Sequence, residues 1–169
     1  MTPPKNYLLD ADALMRAKRQ HYRFCFCPGF WDFLVAQFNA GRLKSLDRVK
    51  AQIKPGDDLH NWATTKAPGR FFGPSRAVAV TAEYGKMMVW VNGQPFTAAA
   101  KAEFAGANNA DGWLVAYAKV NGLAVVTHEV PSNGVKRVKI PNLCDQFGVE
   151  YFDTFDMLED LKGNLVLGP

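Results

Sequence analysis

Asp10 and Asp12 close an apolar run in the stretch YLLDADALMRAKRQHYRF, residues 7–24, and the basic residues Arg16, Lys18, Arg19 and Arg23 follow at once. Carboxylates held close together repel each other unless a cation lies between them. A run of guanidinium and ammonium groups favours phosphate. Two further acids stand at marked positions: Asp111 opens DGWLVAYAKVNG and Glu129 ends LAVVTHE. Hard oxygen donors of this kind suit Mg²⁺ or Mn²⁺, and no grouping of His or Cys points to zinc. The chemistry such a set supports is metal-assisted hydrolysis at a phosphate ester. His21, His60 and His128 are scattered, and His128, beside Glu129, reads as a hydrogen-bonded bystander at a strand end.

The elements that would carry these acids are legible in outline. NYLLD is a short buried strand stopped by its acids, and ADALMRAKRQ is helix-forming, with Asp12 a candidate cap. Phe30, Phe33, Leu34 and Phe38 share one helical face, and Gly41 follows as a stop. LKSLDRVKAQIKPG reads as a strand start and then a helix capped by Ser45 and ended at Pro55-Gly56. PGRFFGPSRAV is predicted as an exposed loop, and the stretch after it as helix. Asp111 opens an amphipathic helix that Gly122 closes; LAVVTHE is a continuous apolar strand. A basic loop holding Lys136, Arg137 and Lys139 leads into a short helix, then the strand VEYFD and a closing helix capped by Asp153 or Thr154.

Continuous apolar strands alternating with helices imply an α/β fold with a mostly parallel sheet covered on both faces. Ligands of such sheets bind at the carboxyl ends of the strands. Asp10 and Glu129 end strands, and Asp111 begins the helix leading into the second of them, so topology alone brings all three to one edge. Each acid has a plainer reading by itself: Asp12 as a helix cap, Asp111 as a complement to the helix dipole, Glu129 as a solvated strand end. The shared edge favours the joint reading.

Composition sets the bounds. The chain has 169 residues, 48% hydrophobic and 21% charged, and reads as one domain over 1–169. A net charge of +4 and a pI near 9.0 permit an anionic partner without demanding one. Cys25, Cys27 and Cys144 fit neither a disulfide framework nor a four-ligand zinc site; free thiols in a reducing cytoplasm are expected. No signal peptide and no run of roughly 18 apolar residues is evident, which predicts a cytoplasmic protein without membrane association.

YLLDADAL, CPGFWDFL, DGWLVAYAKVNGLAVVTHE and KIPNLCDQFGVEYFDTFDML together resemble the PIN domain superfamily, and more closely a bacterial PIN-like branch catalogued as a domain of unknown function. The resemblance runs from about residue 6 to 161 and is poorest over 63–100. It implies a three-layer α/β/α sandwich around a parallel sheet and an Mg²⁺- or Mn²⁺-dependent ribonuclease. A large group of the superfamily are toxins of toxin–antitoxin pairs, so an antitoxin partner and a homodimer come with it. The motif match makes Asp10, Asp111 and Glu129 the metal-binding and catalytic acids. Asp12 and Thr127 fall at the polar positions beside them. Arg16, Lys18, Arg19, Lys136 and Arg137 would track the RNA backbone, with Arg23 and Lys139 near them, and Tyr22 or Phe24 would stack on unpaired bases.

One position departs from the pattern. SLDRVKAQI places Gln52 where such domains usually supply a Glu. A Gln offers a carbonyl oxygen to a metal or its water but no charge, with Asp47, Asp57 and Asp58 as candidate substitutes. This opens a second reading, an impaired PIN-like fold that only binds RNA or a protein. A third, a phosphatase of the haloacid dehalogenase type, shares the strand with Asp-x-Asp. Against it, Ala13-Leu14 stands where Gly-Thr is needed, and the acidic pair of KPGDD precedes the sequence it should follow.

Overall fold

The computed structural model describes residues 5–167. Five short strands form one sheet in which every neighbouring pair is parallel. They are β1 (Tyr7–Leu9), β2 (Leu43–Leu46), β3 (Phe72–Gly73), β4 (Ala124–Val126) and β5 (Tyr151–Phe152), in the order β3-β2-β1-β4-β5. β1 and β4, the central pair, are buried throughout, which is why both read as unbroken apolar runs. Tyr7 lies opposite Leu43 on one side and Ala124 on the other.

The chain steps outward from β1 through β2 to β3, then returns to the other side of β1 for β4 and β5. The strand order therefore reverses between β1 and β4. At such a switch point the connections leave in opposite directions and open a crevice at the carboxyl ends. Right-handed crossovers put the helices of the two halves on opposite faces. The first half carries α1 (Ala11–Arg16), prolonged by a π-helical turn over 17–21, then α2 (Pro28–Asn39), α3 (Asp47–Gln52) and α4 (Asp58–Thr65). The second carries α5 (Val78–Gly93), α6 (Ala98–Ala105), α7 (Asp111–Asn121) and α8 (Ile140–Phe147), and α9 (Thr154–Asp160) follows β5.

Large aromatic side chains fill both faces. Trp62 meets Trp31 at a ring separation of 5.0 Å and Phe71 at 5.3 Å, joining α2, α4 and the lead-in to β3. Across the sheet Trp113 stacks on Tyr84 at 4.2 Å, and α5, α7 and α8 pack on one another there. Among the described residues no helix is long and apolar enough to cross a membrane.

Three local expectations need correction. The cap of α1 is Asp10, which accepts a 2.6 Å bond from Ala13 N, while Asp12 sits in the first turn. Ser45 is a strand residue, not a cap; its hydroxyl donates to Leu9 O at 2.7 Å and its N–H pairs with Phe71 O. The stretch expected to be an exposed loop contains β3, preceded by a fully buried Phe71. Its two residues are too few to show alternation in the sequence. The helices expected after it are present as α5 and α6.

Gly112 sets how closely α7 approaches its neighbours. A Cβ there would stand 2.6 Å from the Phe104 ring and 2.8 Å from the Tyr84 ring, closer than carbon atoms tolerate. Gly112→Ala is expected to lose about 1–3 kcal/mol by overpacking and to lower the melting temperature in a thermal scan. An unchanged melting temperature would mean the aromatic layer yields freely.

Candidate active site

The carboxyl edge at the switch point is a cavity of about 530 Å³ lined by Asp10, Asp12, Gln52, Glu103, Asp111, Glu129 and Arg137, with the 106–109 turn closing one side. Three of the acids arrive from separate elements. Asp10 leaves β1 and its N–H pairs with Val126 O at 3.1 Å, which fixes it beside the end of β4. Asp111 is the first residue of α7, its N–H held by Asn109 Oδ1 at 2.9 Å. Glu129 follows β4, and its Oε2 accepts from Ile140 N at 2.9 Å where α8 begins.

Asp10 is sealed from solvent, with only 3% of its surface exposed. Burial pushes its carboxyl up to about 8, although the Thr127 hydroxyl and the Ala13 N–H both favour the charged form. Thr127 is itself buried and accepts from Glu129 N at 3.1 Å, so it links the two strand ends. Asp111 is pushed up to about 6, first by burial and then by the charge of Glu129, with Arg137 pulling the other way. Asp12 is paired with Arg16: Nε lies 3.2 Å from Oδ1 in an aligned bond and 3.0 Å from Oδ2 without alignment. Asp12 Oδ2, shielded from water, is left with no hydrogen-bond donor.

Arg137 is the cation of this cavity. Its Nη2 lies 3.1 Å from Glu129 Oε1 and 3.8 Å from Asp111 Oδ2. Among the described residues, no three His, Cys, Asp or Glu side chains are grouped so as to hold a metal ion. The Arg137 guanidinium stands between two of the acids, Glu129 and Asp111. In chemical kind the donors suit a hard divalent cation. They are all oxygens, and one belongs to the buried Asp10 carboxyl, which burial keeps protonated when no cation is near.

The other sequence candidates are dispersed. Gln52 reaches the cavity, but its amide is engaged: Nε2 donates to Asn108 O at 2.8 Å. Lys18 is tied to Asp57 at 2.8 Å and Asp58 at 3.2 Å, away from the other acids. Arg19 and Lys136 are exposed, as is Asp47, whose Oδ1 accepts from Arg48 N and Ser75 N. Tyr22 stacks on Phe30, and Phe24 on Trp31, so neither ring face turned that way is open. His128 bonds Thr154 Oγ1 at 2.9 Å, and burial lowers its basicity, as a bystander should behave. Cys144 is buried in α8.

Glu103 was not anticipated. It projects from the end of α6 into the cavity and contributes to raising Asp111. Its only sequence signal is an acid just before the turn AGANNAD, within a region whose helix boundaries the sequence blurs.

A family model described as "Domain of unknown function (DUF4411)" matches residues 7–165. The chain belongs to this family. The match to DUF4411 takes in the whole sheet and every acid of the cavity. No curated protein matches the chain. Among solved structures it is similar to one of FitAB bound to an IR36 DNA fragment, with 15% identity over 87% of this chain and 94% of that one, at a TM-score of 0.49.

The buried acid makes stability depend on pH in a definite direction. In the metal-free protein the folded Asp10 holds its proton up to about pH 8, whereas unfolded it releases it near 4. The folded state therefore binds more protons between these values, and this contribution to stability is lost as pH rises from 4 to 8. With EDTA present, Asp10→Asn is expected to melt above the wild type at pH 8.5 and to lose that advantage at pH 4. A difference independent of pH would show that Asp10 is ionised throughout.

Proposed function

We propose that this DUF4411 chain is a PIN-like, divalent-metal-dependent ribonuclease, acting as one domain on RNA phosphodiesters. The observation that carries the reading is the meeting of Asp10, Asp111 and Glu129 in one cavity, two of them bridged by a guanidinium. Carboxylates from a strand end, a helix start and a second strand end have no joint structural task there that a neutral set would not do at lower cost. They do suit an exchangeable cation.

Asp10, Asp111 and Glu129 would hold Mg²⁺ or Mn²⁺, with Asp12 lining the same cavity. A bound ion of this class supplies charge for the phosphoryl oxygens and acidifies a coordinated water. The chain's own residues do the positioning. Thr127 aims the Asp10 carboxyl, Asn109 fixes the start of α7, and Ile140 N–H holds one oxygen of Glu129 so that the other faces inward. Arg137 balances Asp111 and Glu129 in the free protein and would compete with a bound ion for them. Gln52 braces the 106–109 turn through Asn108, and Glu103 restores to the cavity a carboxylate that the Gln52 position lacks. The reading as a pure binding module drew on that missing charge, and Glu103 weakens it. The antitoxin partner and the homodimer rest on the sequence resemblance.

Purified protein with single-stranded RNA and Mn²⁺ is expected to cleave, EDTA to stop it, and Asp10→Asn to lower the rate at least about 100-fold, the scale of a lost charge at a metal centre. Cleavage surviving Asp10→Asn sinks the proposal. Calorimetric titration with Mn²⁺ reads Arg137 separately: Arg137→Ala removes the competing cation and should tighten binding about ten-fold, equivalent to about 1.4 kcal/mol. Weaker binding would make Arg137 a supporting residue.

A further inference from the structure

A second cavity of about 430 Å³ opens on the other side of the 106–109 turn, lined by Asp47, Arg48, Ala51, Ser75 and Arg76. It shares Ala107 and Asn108 with the acid cavity, so one wall separates the two. None of these residues figured among the sequence candidates for binding substrate except Asp47, weighed only as a substitute acid.

Arg48 is held on three sides. Its Nε donates to Ser75 Oγ at 3.1 Å, its Nη1 to Ala107 O at 3.3 Å, and its guanidinium lies 4.2 Å from the centre of the Trp113 ring. Stacked and bonded in this way, it keeps one geometry and loses little side-chain freedom on meeting an anion. No partner claims Nη2 among the described residues. Arg76 is exposed, with no hydrogen bond or ion pair among the described residues. Asp47 is the opposing charge in this cleft, but its Oδ1 accepts from two backbone N–H groups, Arg48 N and Ser75 N. Two guanidinium groups against one such carboxylate leave the cleft net positive. Of the cations expected to track a strand near α1, Arg16 is bound up by Asp12 and Lys18 by Asp57 and Asp58, while Arg19 is exposed.

We infer that the Arg48–Arg76 cleft is a phosphate subsite: it holds a backbone phosphate of the strand whose neighbouring linkage lies in the acid cavity. This rests on the ribonuclease reading for the identity of the strand. The rigid Arg48 sets the register, and the free Arg76 closes on the phosphate from the solvent side. The shared wall at Ala107 and Asn108 is what the strand crosses.

The test separates binding from cleavage. Anisotropy with a fluorescent single-stranded RNA in EDTA reads affinity without turnover, over a range of salt. Arg76→Ala, at an exposed loop position, is expected to weaken binding about five- to ten-fold and to lower the salt slope by about one. Arg76→Glu should weaken it further. Lys66→Ala, in the groove between α2 and α4, is the control for generic surface charge and should change neither. Equal affinities for wild type and Arg76→Ala, or an equal loss with Lys66→Ala, overturn the subsite. Adenosine monophosphate is titrated in parallel. If it binds as tightly as the strand and with the same dependence on Arg76, the cleft is a free-nucleotide site and the strand assignment falls. The Mn²⁺ cleavage assay with Asp10→Asn judges the ribonuclease reading independently, so either can fail alone.

Discussion

A carboxylate closed in at the end of a central parallel strand must either keep its proton or find a cation, and much of this molecule follows from how that need is met. The backbone of β1 is paired on both sides, so Asp10 has no freedom to turn outward. The reversal of strand order next to it brings β4, and with it Thr127 and Glu129, against the same point. α7 must start nearby because it leads back into β4, which delivers Asp111. Several carboxyl groups then line one cavity. In the free protein Arg137 meets that demand from the loop before α8. The π-helical turn after α1 carries Lys18, which is paired with Asp57 and not with the acids of the cavity.

The family match is extensive, and the family carries no assigned activity. The functional reading therefore stands on the geometry of the cavity and on the chemistry of its donors. Glu103 matters most to that reading. A polar cavity with one substituted acid reads as impaired; the same cavity with an acid supplied from another helix reads as rearranged.

What the sequence revealed, and what it hid, has a physical pattern. β1, β4, α2 and α7 were plain because burial on both faces or on one stripe leaves an unbroken or periodic apolar signal, and Gly122, in the left-handed region at φ +65°, marks the end of α7. β3 was hidden because a two-residue edge strand has no period, and its buried Phe71 lies among Pro and Gly. Asp10, Asp111 and Glu129 were legible because topology fixes strand ends. Glu103, Arg48 and Arg76 were not, since they reach the edge from α6, α3 and the segment before α5, whose packing decides where they point. The amide of Gln52 illustrates the limit: its residue type was noted, but its engagement with Asn108 O depends on a turn the sequence does not position.

The 106–109 turn is braced from α3 by Gln52 to Asn108 O and by Arg48 to Ala107 O, and it is tied to α6 through Gly106 N and to α7 through Asn109 Oδ1. α3 has only six residues, and its other anchors include the buried Val49, the links of Asp47 to Arg48 N and Ser75 N, and the Arg48 contacts with Ser75 and Trp113. A displacement of this short helix would disturb the wall of Ala107 and Asn108 that both compartments share. Occupancy on one side of the partition would thus be felt on the other as a free-energy coupling, in both directions and by the same factor.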